Sequence, residues 1–212
     1  MANELAIRGS LLDDIHSNCI NPKTREVWLH SVDTSGPGYD GDEVGVEHLM
    51  AVRFAKNMHF LKSQSKTKPV TIYMSTCGGF FEQGIFIYDT IMSMPFPVTI
   101  VNCTHARSMS SIILQAADWR IMLPNSLFMF HWGTVSADGH AITVYSEVDY
   151  TRKIQDKKMI DIYVESCKNG DMFKNKTENQ IRTVLENQMN KRGDVYLTAE
   201  ESIEWGFADE IL

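Results

Sequence analysis

The sequence is short of the features that would take it out of ordinary soluble folding. It has 6 prolines in 212 residues and an apolar share of 43%, which excludes a collagen-like, low-complexity or disordered chain. Its four cysteines, at 19, 77, 103 and 167, are far apart. No C-x-x-C pair exists, so neither a zinc site nor a dense disulfide framework is expected. Such usage fits a reducing compartment. No apolar run reaches the roughly 18 residues of a membrane span. The start, Met1-Ala2-Asn3-Glu4-Leu5-Ala6, lacks the basic and apolar regions of a signal peptide. A cytoplasmic protein without membrane contact is therefore expected. Positive charge is also scarce: 20 Lys and Arg face 27 Asp and Glu, for a net charge of −7. That argues against nucleic acid as a partner, because phosphate neutralisation needs clustered cations. The seven histidines show no H-E-x-x-H spacing, so no metal site is expected.

What remains is a length suited to one domain, residues 1–212, with a real core. A loop composition marks Asp33 to Asp42. The β-rich stretch Glu26 to Val32 precedes it. After it, Val46, Leu49, Met50, Phe54, Met58 and Leu61 recur at helical steps. Then strands and helices alternate. Val70–Met74 reads as a strand, and Phe81–Met94 as a helix with Ile85, Tyr88, Ile91 and Met92 on one face. Val98–Val101 is a strand and Met109–Ala117 a short helix. Arg120–Leu123 and Leu127–Phe130 are strands. Ile142 to Cys167 reads as one long helix, with Tyr145, Val148, Arg152, Met159, Ile160, Tyr163 and Val164 near helical spacing. Glu178–Met189 is another helix. Thr198-Ala199-Glu200-Glu201 is a capping box that opens a last helix, and Gly206 ends it. This alternation predicts an α/β fold with largely parallel strands.

Three segments could carry chemistry. Ser75-Thr76-Cys77-Gly78-Gly79 lies between a strand and a helix; its glycines free amides to face a ligand, though a plain turn explains them as well. His105-Ala106-Arg107-Ser108-Met109-Ser110-Ser111 joins a strand to a helix. A serine there either projects its hydroxyl toward a reacting group or caps the helix. Met129-Phe130-His131-Trp132-Gly133 ends an apolar strand. Its imidazole suits a base or a hydrogen-bonded core histidine. Asp194, before a short strand, looks like a loop aspartate on its own. G-x-S-x-G is not present, and no S-x-x-K falls within these segments.

In order, these segments resemble the proteolytic subunit family of the Clp (caseinolytic) protease. The resemblance rests on Gly78-Gly79 with Ile87-Tyr88-Asp89-Thr90, and on Ala106-x-Ser108-Met109. It continues in Leu123-Pro124-Asn125-Ser126-x-x-Met129-x-His131 and Asp194-x-Tyr196-Leu197-Thr198-Ala199-x-Glu201. Gly206-x-Ala208-Asp209-x-Ile211-Leu212 closes it. It implies a ClpP/crotonase-like domain whose long helix protrudes as a handle. It implies a serine endopeptidase with Ser108 as nucleophile, His131 as base and Asp194 as the residue that orients His131, with the amides of Gly79 and Met109 as the oxyanion hole. Extended substrate would pair along Phe80-Phe81 and Gly139-His140-Ala141. The family also implies heptameric rings stacked as a tetradecamer, fed with unfolded proteins by an AAA+ unfoldase of the ClpX or ClpA/ClpC type. No cofactor is expected; ATP would serve only that partner, since the chain has no G-x-x-x-x-G-K-[ST] motif.

Some positions depart from the pattern. Cys77 stands where the family has proline, and Arg107 where it has a small residue. Phe80, Phe81 and Trp132 should reshape the substrate pocket. Arg107 should favour anionic groups or pair with a carboxylate. Cys167–Lys176 reads as an insertion. The departures at Arg107, at Trp132 and at Gly193, where the family commonly has an arginine, keep a second reading open, a weakly active structural subunit of a mixed ring. A third, a crotonase-type acyl-CoA enzyme, would leave the serine, histidine and aspartate motifs unexplained.

Overall fold

A computed structural model describes residues 11–30 and 45–212. The expected loop Asp33–Asp42 lies outside the described residues, as do the first ten residues. Residues 11–18 are helical (α1). Strands β1 (Ile20–Asn21) and β2 (Glu26–His30) pair antiparallel at one sheet edge. β2, β3 (Val70–Thr76), β4 (Val98–Arg107), β5 (Trp119–Met122) and β8 (Glu210–Ile211) then run parallel, side by side. Parallel neighbours need crossovers. Helices α2 (His48–Gln64), α3 (Phe81–Met92) and α4 (Met109–Leu114) supply the first three. The α/β class with largely parallel strands is as expected.

β4 is where the sheet forks. Its first half, Thr99–Asn102, pairs with β5; its second half, His105–Arg107, pairs with β6 (Leu127–Phe130). β7 (Val195–Leu197) adds to β6 antiparallel. Buried Asn102 marks the fork. Its side-chain N–H₂ donates to the Leu127 carbonyl at 3.0 Å, and its backbone carbonyl accepts from the Leu123 amide at 3.1 Å. One residue thus satisfies backbone groups that neither ladder reaches.

The core packs on one face of β3, whose opposite-facing Thr71, Tyr73 and Ser75 are only half-buried. Met50, Phe54, Met58 and Leu61 of α2 are buried, as are Val70, Ile72 and Met74 of β3. On α3 the buried stripe is Gly84, Ile87 and Ile91, while Ile85 and Tyr88 are only partly covered and Met92 is 60% exposed. This corrects the expected face. A Cβ at Gly84 would come within 2.1 Å of Met109 Cγ, so the helix docks closely on α4 through its glycine, which rotates the stripe.

The expected long helix is a helix with a break in phase. α5 (Ala141–Tyr150) buries nothing. A π-helical turn, Thr151–Gln155, follows, and then α6 (Asp156–Cys167), which buries Met159, Ile160, Tyr163, Val164 and Cys167. The wider π turn shifts the helical register. No face of α5 is buried, so Tyr145 and Val148 are exposed, and so is Arg152 in the π turn; none continues the buried stripe of α6. The stretch read as an insertion is anchored in the core: Phe173 is buried and meets Trp205 edge-on at 5.6 Å. α7 (Glu178–Arg192) leads to β7, and α8 (Ala199–Trp205) opens on the Thr198–Glu201 capping box and ends at left-handed Gly206. Among the described residues no helix is long and apolar enough to cross a membrane.

Candidate active site

Strand register assembles the site. Arg107 pairs with Met129 across β4 and β6, and the Ser108 amide donates to the Met129 carbonyl at 3.0 Å. Phe130 pairs with Val195 across β6 and β7. One step beyond, His131 and Asp194 face each other. Three chain segments thus end at one sheet edge with a serine, a histidine and an aspartate. The hydroxyl of Ser108 lies 2.8 Å from His131 Nε2, and His131 Nδ1 lies 3.0 Å from Asp194 Oδ1. A carboxylate only accepts, so the proton sits on Nδ1 and Nε2 is left to accept from the serine. His131 is 19% exposed and Asp194 50%.

Ser108 occupies the helix-cap position but does not cap. Its hydroxyl makes no bond to the first turn of α4, and its backbone sits at φ 51°, ψ −123°. A non-glycine residue held there stores backbone strain, which concentrates at functional sites. The loop above it is built around two glycines. A Cβ at Gly78 would lie 2.7 Å from the Arg107 carbonyl and 2.9 Å from the Met109 amide; one at Gly79 would lie 2.3 Å from the Val46 carbonyl. Only glycine permits this approach at φ 100° and 149°. Val46 bridges the loop through the Gly78 carbonyl and the Phe80 amide, which leaves the Gly79 amide outside the bridge. Met109, first residue of α4, has an amide with no partner within its helix.

Behind the serine runs a buried support. Ser111 Oγ donates to the Ser108 carbonyl and meets the Tyr163 hydroxyl at 2.6 Å. Complete burial pushes the Tyr163 phenol far up. Tyr163→Phe removes one buried bond while Ser111 keeps the other, so urea unfolding should show a loss of about 0.5–1.5 kcal/mol. The unfolded phenol ionises near ~10, before the folded one. Stability should therefore fall as pH rises above about 10, and the variant should flatten that fall.

A cavity of about 340 Å³ opens beside Ser108 and His131. Gly79, Phe80, Phe81 and Met109 line it, as does the stretch Gly133-Thr134-Val135-Ser136. Gly139, His140 and Ala141 lie outside this lining. They lead into exposed α5, and nothing lies within 4 Å of a Cβ at Gly139. The segment after the histidine reaches the cleft earlier than expected. Trp132 also turns away, its Nε1 donating to Asn190 on α7 at 2.8 Å. Arg107 lies over the Tyr196 ring, its guanidinium 5.8 Å from the centroid, rather than against a carboxylate of the described residues. The residues missed from sequence are Thr151, Gln155, Asp156 and Met159, which line the cleft from the π turn and α6. The π turn is what aims them there, and no sequence period marks it.

The family model described as Clp protease matches residues 43–212. The chain belongs to the Clp protease family. The match spans the glycine loop, the serine turn, the histidine strand and Asp194. As a Clp protease family member the chain is a ClpP-like peptidase by kinship, in a family of serine peptidases.

Proposed function

We propose that this chain is a serine endopeptidase acting through Ser108, His131 and Asp194. The observation that carries the reading is the hydrogen-bonded sequence from Asp194 through His131 to Ser108, with the serine held in strained backbone. Ser108 Oγ attacks the scissile carbonyl as His131 Nε2 takes its proton. Asp194 holds the imidazole in the right tautomer and stabilises the imidazolium. The amides of Gly79 and Met109 donate to the developing oxyanion; such a donor is worth roughly 2.7–4 kcal/mol in the transition state. His131 then protonates the leaving amine, and water repeats the attack on the acyl-serine.

Phe80 and Phe81 on one wall and Gly133–Ser136 on the other suit an extended chain, so unfolded polypeptide is the proposed substrate. The proposed working unit is a pair of stacked seven-membered rings served by an AAA+ unfoldase. Ile142 at 80% and Tyr145 at 72% exposure give α5 an uncovered apolar face, which suits a second ring. Native mass spectrometry with peptide cleavage on one sample tests this. The expected result is a ring mass with cleavage to short peptides. Cleavage by a monomer would overturn the assembly and leave the peptidase standing; no cleavage of any unstructured peptide would overturn the peptidase.

A further inference from the structure

The cleft has a one-sided charge. Its lining includes the carboxylates of Glu82, Glu147 and Asp156 and no Lys or Arg. Asp156, at the start of α6, is half-buried, and the Gly133 amide donates to it. Burial pushes its carboxyl pKa up, the mark of a charge short of solvent and of a cationic partner. On its far side Lys157 and Arg182 both bind Asp161, at 2.6 Å each, and Arg152 lines the neighbouring hollow rather than the cleft. Glu82 accepts from the neutral Gln155 amide, at 3.3 Å. Between these carboxylates and Ser108, Phe81, Met109 and Met159 form apolar walls.

Apolar walls with acid beyond them suit a long side chain that is greasy along its stem and positive at its tip. We infer that the cleft selects Lys or Arg on the residue whose carbonyl is attacked, with Asp156 as the specificity-determining carboxylate and Glu147 and Glu82 at the rim. The inference rests on the reading of Ser108 as nucleophile and adds the substrate class to it. A carboxylate in such a pocket selects through charge-assisted hydrogen bonds.

The test uses the full-length protein and fluorogenic peptides that differ only at that residue: Arg, Lys, Leu or Glu. The kcat/KM for Arg and Lys should exceed that for Leu at least about tenfold, and that for Glu about a hundredfold or more. Asp156→Asn should lower the Arg-to-Leu ratio about tenfold, and exposed Glu147→Gln about two- to threefold. If Asp156→Asn does not fold, the parent ratios and Glu147→Gln still decide. A neutral fluorophosphonate reports on Ser108 separately. Labelling of Ser108 with Leu cleaved as well as Arg, or with ratios unmoved by both variants, overturns the specificity alone. Absence of labelling overturns the nucleophile and this inference with it.

Discussion

Ser108→Ala should lower peptide hydrolysis roughly 10⁴- to 10⁶-fold while the protein folds as before. The size follows from removing the group that forms the covalent intermediate. What survives comes from the oxyanion amides and from substrate binding, which the substitution does not touch. The unchanged fold follows from what the hydroxyl does. Replacing a serine that caps a helix costs about 1 kcal/mol, but this one makes no cap bond and points at His131 instead. Its Cβ and strained backbone are shared by alanine. The urea midpoint should therefore stay close to that of the parent while kcat collapses. A large loss of stability would mean the hydroxyl is a structural cap after all.

Asp194→Asn should reduce kcat by about 10³- to 10⁴-fold with little change in KM. Asparagine keeps the shape of aspartate but brings an N–H₂ group. Facing His131 Nδ1 at 3.0 Å, that group favours the tautomer with its proton on Nε2. A protonated Nε2 cannot accept from Ser108, so the base is lost with its position intact. It also leaves the imidazolium of the reaction without a counter-charge. The side chain is half exposed, so the hydrogen bond itself contributes only about 0.5–1.5 kcal/mol to stability. Stability and activity should thus separate in this variant as they do in Ser108→Ala.

Much of the fold was legible because strand and helix periods alternate in the sequence. Val70–Met74 and Leu127–Phe130 are short apolar runs that had to be strands, and Thr198 and Glu201 announce their helix through reciprocal caps. The site was legible differently. Ser108 and His131 are 23 residues apart, and His131 and Asp194 are 63 apart. No local pattern connects them; β4, β6 and β7 do so through register. Read singly, each had a plain structural explanation, and their order along the chain set them together. Features that depend on three-dimensional packing stayed hidden. The left-handed backbone of Ser108, the fork at Asn102 and the π turn before Asp156 have no signature in composition or period. Trp132 illustrates the limit: adjacent to His131 in sequence, it turns its ring to Asn190, while the cleft is lined from Thr151 to Met159, two dozen residues on.

The central claim is that Ser108 is an activated nucleophile in the resting protein. Reaction with a fluorophosphonate, followed by peptide mapping, tests it most directly. The account predicts one adduct, on Ser108, absent from Ser108→Ala and greatly slowed in Asp194→Asn. No adduct on folded parent protein, or an adduct that persists in Ser108→Ala, would contradict it.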